Sequence, residues 1–72
     1  MVFIAAYDIA DGRRLKRVAK IMERFGIRIQ YSIFRCSLNN DELECMKRCL
    51  NRTIDKEEDS IVIIPVAEDD WK

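Results

Sequence analysis

Three kinds of side chain in this sequence could do chemistry: one carboxylate inside an apolar run, a row of arginines and lysines, and three thiols. Histidine is absent. Ser-His-Asp and Cys-His schemes are therefore excluded, and any catalysis must draw on carboxylate, arginine or a bound metal. The carboxylate is Asp8, between Tyr7 and Ile9 at the end of the run VFIAAYDI over residues 2–9. A charge there needs a reason. It either caps the following loop or meets a second copy of itself near a twofold axis, where two facing carboxylates attract a hard divalent cation, Mg²⁺ or Mn²⁺. Cys36, Cys45 and Cys49 offer less, because three thiols without a fourth ligand make a poor zinc site; small, half-buried, reduced side chains are the expectation.

The charges balance, 13 basic against 13 acidic residues, but they are segregated along the chain. Residues 13–28 hold seven basic residues and one acid, Glu23, whereas residues 55–72 hold seven acids and two lysines. Arg13, Arg17, Lys20 and Arg24 recur at helical spacing and form one face, with Arg14 and Lys16 beside them and Arg28 just beyond. Arg13 and Arg14 fall in a first helical turn, where the helix dipole disfavours cations. A bound phosphate would reverse that penalty and would also accept from the free N–H groups of the helix end. Such contacts hold nucleic acid by its backbone without reading sequence. The competing explanation is an ordinary solvated helix face. Tyr31 and Phe34 could stack on bases, although both are read first as core.

The elements that position these residues follow from periodicity. Residues 2–9 are apolar throughout until Asp8, as in a central strand buried on both faces. Asp11 can cap a helix whose stripe is Leu15, Val18, Ala19, Met22 and Phe25 and which stops at Gly26. From Ile27 the period is two, so residues 27–38 hold a hairpin or one bent strand; no Gly or Pro marks a turn. Asn39 to Asp41 offer caps for a second helix carrying Leu43, Met46, Leu50 and Ile54, which ends near Arg52. A charged loop, Asp55 to Asp59, leads to a last strand, IVIIPV over 61–66, where Pro65 points to an edge or a strand end.

The order strand, helix, strand pair, helix, strand is the ferredoxin-like βαββαβ arrangement, an α+β fold with two helices on one face of an antiparallel sheet. The 72 residues make one domain, 1–72, with a short tail at 67–72. Two helices cover one sheet face only. Since the first and last strands are apolar on both sides, the other face needs cover, and a homodimer supplies it. Nothing in the sequence resembles a secretory leader or a membrane span, so a cytoplasmic location is expected.

The run Tyr7-Asp8-Ile9, a helix with Arg17-Val18-Ala19, and then Gly26 followed by Arg28-Ile29-Gln30-Tyr31-Ser32-Ile33-Phe34 resembles the Cas-two family of CRISPR-associated proteins. The loop Glu57-Glu58-Asp59-Ser60 before an apolar strand with Pro65 is also similar. The resemblance spans residues 2 to about 66. It implies a homodimer that binds DNA, and in some members RNA, and bridges dimers of the Cas-one integrase during spacer capture. It also implies a weak Mg²⁺-dependent endonuclease activity. In that family the aspartate matching Asp8 is the proposed metal ligand, and Tyr7, Arg17, Arg28 and Phe34 match positions tied to activity or nucleic-acid contact. Other readings are a non-catalytic adaptor, a toxin-type endoribonuclease and a regulatory module for a small ligand. Leu15 stands where some members carry a further arginine. The family's last strand, which packs on the other subunit, has only Ala67 to Lys72 to match it, with Trp71 as an anchor.

Overall fold

The computed structural model describes residues 1–67; the tail and its Trp71 anchor lie outside them. The elements are β1 (Val2–Asp8), α1 (Gly12–Phe25), β2 (Ile27–Gln30), β3 (Ile33–Ser37), α2 (Asn40–Thr53) and β4 (Ser60–Val66). They form one antiparallel sheet in the order β2-β3-β1-β4, so the ferredoxin-like arrangement is observed and β1 is an inner strand.

Each helix starts where a side chain can take up its orphan N–H groups. Asp11 Oδ2 accepts from the N–H of Arg13 at 3.0 Å and of Arg14 at 2.9 Å. Asn39 and Glu42 form a capping box at the start of α2. Gly26 closes α1 by donating its N–H to the Met22 carbonyl at 2.9 Å. Its backbone is extended, not left-handed. Glycine is required for a different reason: a Cβ would lie 2.6 Å from both the Arg35 carbonyl oxygen and Cys36 Sγ, so β3 passes too close for any side chain.

Successive strand residues point to opposite faces of the sheet. Phe3, Ala5 and Tyr7 of β1 and Phe34 and Cys36 of β3 face the helices and pack with Val18, Met22, Met46 and Leu50. Full burial of each large side chain is worth about 1.5–3 kcal/mol. On the other face Ile4 pairs with Ile64 and Ala6 with Val62. Ile64 and Val62 are each 52% exposed. The edge position that Pro65 pointed to is observed: β4 is an edge strand, and it keeps one open apolar side because the helices cover only the opposite face.

Residues 27–37 form a hairpin. Its turn falls at Tyr31 and Ser32, after an irregular step between Arg28 and Gln30. Tyr31 is 89% exposed at that tip, which corrects its reading as core; a turn residue has no sheet face to bury it. Of the thiols, Cys36 is buried and pushed up in pKa by that burial, Cys49 is half-buried and Cys45 is exposed.

Candidate functional site

The residues singled out by sequence separate into an outward and an inward group. Arg13, Arg17, Lys20 and Arg24 are all exposed on the side of α1 turned away from the core residues Val18 and Met22. Among the described residues none of the four makes an ion pair; Arg24 lies over the Phe25 ring at 6.0 Å. Arg28 flanks this face from β2, with its guanidinium 5.3 Å from the Phe34 ring centre and 3.9 Å from the Glu23 carboxylate.

Arg14 behaves differently from its neighbour Arg13. Its Nε donates to Asp59 Oδ2 at 2.8 Å, its Nη2 to Asp59 Oδ1 at 3.2 Å, and Nη2 also reaches Glu58 at 3.4 Å. Asp59 is fully buried at its side chain and also accepts the N–H of Ala10 and of Asp55. The Arg14 guanidinium, with these N–H groups, holds the Asp59 carboxyl well below the usual carboxylate range, and the same bond raises the pKa of Arg14.

Two expectations are corrected here. Arg14 is committed to an internal carboxylate and leaves the phosphate-binding set, and the N–H groups of Arg13 and Arg14 already serve Asp11 instead of standing free for an anion. An acid on a loop 45 residues away offsets the dipole penalty at Arg14. Asp59 itself was missed. In sequence it stands only within the Glu57-Glu58-Asp59-Ser60 loop of the family resemblance, a carboxylate directly before an apolar strand with no role attached.

Tyr7 and Phe34 are core residues, 6% and 0% exposed, with ring centres 6.2 Å apart. Phe34 has no surface to offer a ligand there, whereas the Tyr7 hydroxyl, without a hydrogen-bond partner among the described residues, keeps contact with solvent. Asp8 ends β1 opposite Ser60 and points to the open sheet face with Ile4 and Ala6, away from the helices. It is exposed, and its carboxylate has no hydrogen-bond or ion-pair partner among the described residues. The loop after β1 is capped by Asp59, through Ala10, and not by Asp8.

A free, exposed carboxylate is the kind of group that suits a hard cation. Among the described residues no cluster of three metal-ligating side chains occurs, so Asp8 has no such cluster around it. Asp8 and the basic face also lie on opposite sides of the molecule, one below the sheet and one above the helices.

A profile of the family described as CRISPR associated protein Cas2 matches residues 1–72, the same family that the tyrosine-aspartate and arginine runs resemble. The chain belongs to the Cas2 family. It is 36% identical over 66 residues to the CRISPR-associated endoribonuclease Cas2 3 of Synechocystis, covering 92% of this chain and 72% of that one. With the CRISPR-associated endoribonuclease Cas2 1 of Archaeoglobus fulgidus it shares 38% over 69 residues, covering 94% and 73%. The crystal structure of Streptococcus pyogenes Cas2 at pH 6.5 superposes with a TM-score of 0.89 at 32% identity, covering 99% of this chain and 90% of that chain. The Cas2 fold is thus shared along the described length.

Proposed function

We propose that this Cas2-family chain works as a homodimer joined through the open sheet face, binds duplex DNA by its backbone, and bridges Cas-one integrase dimers during spacer capture. The observation that carries the reading is the outer face of α1: four exposed cations in a row, none in an ion pair among the described residues. Such a face attracts phosphates and carries no means of telling one base from another. The dimer is supported by the apolar strip of Ile4, Ala6, Val62 and Ile64, which would otherwise face water.

The same dimer would bring two Asp8 carboxylates toward its axis, completing the half-site that each chain supplies. A divalent cation, Mg²⁺ or Mn²⁺, would there supply charge neutralisation at phosphorus and a more acidic water. The chain's own part is to present one unpartnered carboxylate per copy. Two protein ligands are few, so cleavage is expected to be slow. Relatives named endoribonuclease favour RNA as a second substrate for that activity.

Asp8→Asn tests the catalytic half separately from the adaptor half. The variant is expected to dimerise and bind DNA as the wild type does and to lose Mg²⁺-dependent cleavage of RNA and DNA. Cleavage by highly purified protein that survives Asp8→Asn removes Asp8 from the reaction. Sedimentation at micromolar concentration showing only an 8.5 kDa species counts against the dimer.

A further inference from the structure

Asp59 has no part in the basic face or in the half-site, yet its contacts converge on the backbone next to Asp8. Strand pairing between β1 and β4 ends at Asp8 and Ser60, and Asp59 directly precedes Ser60. One step beyond that last pair, Asp59 Oδ1 accepts the Ala10 N–H at 2.9 Å, standing where a strand carbonyl would continue the ladder. The carboxylate cannot easily leave. Arg14 grips both its oxygens, and the N–H of Asp55 occupies Oδ2 at 2.8 Å.

The identity of that donor matters. Aspartate side chains commonly fold back to accept the N–H two residues ahead, closing an Asx turn. For Asp8 the residue two ahead is Ala10. Asp59 therefore occupies the N–H two residues ahead of Asp8, the donor that an Asx turn would use to draw the Asp8 carboxylate down onto its own loop.

We propose that Asp59, braced by Arg14, is the positioning residue for Asp8: by taking the Ala10 N–H it keeps the Asp8 carboxylate free on the open face of the sheet. The consequence for cation binding rests on the reading of Asp8 given above; the competition for Ala10 does not. A fold-back would draw the carboxylate off the open face and engage one of its oxygens in a charge-assisted hydrogen bond, which lowers its availability to a cation on that face.

The test uses the full chain and two readouts, amide hydrogen exchange at Ala10 and paramagnetic broadening by Mn²⁺ at residues 6–10. Since Asp59→Ala alone would strand Arg14, the working variant is Arg14→Leu with Asp59→Leu, which replaces the ion pair by apolar groups and guards against loss of folding. In the wild type, adding Asp8→Ala should leave Ala10 exchange unchanged. In the Arg14→Leu/Asp59→Leu background, adding Asp8→Ala should speed Ala10 exchange by about tenfold or more, the worth of one hydrogen bond to a charged group. In that background with Asp8 intact, Mn²⁺ affinity should fall by a similar factor, about tenfold. Ala10 exchange that is indifferent to Asp8 in both backgrounds overturns the proposal, as does a uniform rise along β1, which would mean lost stability and no competition. Ala10 exchange that switches as expected while wild-type protein shows no Mn²⁺ broadening keeps the positioning role and removes the cation reading of Asp8.

Discussion

Arg13 and Arg14 are adjacent in sequence and opposite in fate: one stands in solvent, the other is locked onto a buried aspartate. The same division runs through most of the residues singled out in the sequence, with Arg28 between the two groups, exposed yet 3.9 Å from the Glu23 carboxylate and over the Phe34 ring. The rings of Tyr7 and Phe34 pack in the core and Arg14 is held by Asp59, while Asp8, Arg13, Arg17, Lys20 and Arg24 face outward with no ion-pair partner among the described residues. The inward members build the scaffold, and the outward ones are those to which the proposed function gives a ligand.

This division predicts that inward replacements change stability and leave the binding of folded protein alone, with the reverse for outward ones. Phe34→Ala should cost the most, about 3–5 kcal/mol in a denaturant titration, since it empties a fully buried site beneath Tyr7 and Arg28. For a domain this small, most of the margin would be gone. A loss under 1 kcal/mol would place Phe34 among the residues kept for function.

Gly26→Ala comes next. Its new methyl would press on the Arg35 backbone, so a loss of about 1–3 kcal/mol is expected, read from the thermal midpoint. A variant as stable as the wild type would show that β3 can retreat from the helix end.

The bracket around Asp59 is tested by acid. Its folded pKa is depressed below the ordinary value of 3.8, so its contribution is complete above that value and is lost as pH falls through 3.8 toward the lower folded pKa. Unfolding midpoints followed from pH 6 to pH 2, a span about the ordinary carboxylate range, should fall more steeply for wild type than for Asp59→Asn. Parallel curves would mean that Arg14 and Asp59 contribute nothing through charge.

Much of this was legible in the sequence because its signals are local. Asp11 and Asn39 as caps, the stripes of both helices and the order of elements along the chain follow from residue types within a turn or two. Partners distant along the chain were not legible. Arg13 and Arg14 look alike until the loop holding Asp59 is placed against α1, and Gly26 reads as a helix stop until β3 is laid across it. Tyr31 misleads for another reason, since the period-two pattern runs unbroken through a turn that lacks glycine and proline.

The outward face has the smallest effect on stability and decides the account. Replacing Arg17 and Arg24 with Ala should move stability by no more than about 0.5 kcal/mol, as for other surface sites. The direct measurement is duplex DNA affinity as a function of salt for wild type and this double variant. If the outer face of α1 holds phosphates, the double variant binds all sequences more weakly, and its slope of log affinity against log salt is shallower by about 1.8, or 0.9 for each lost contact. Equal affinity and equal slope would contradict the account and return these arginines to an ordinary solvated helix.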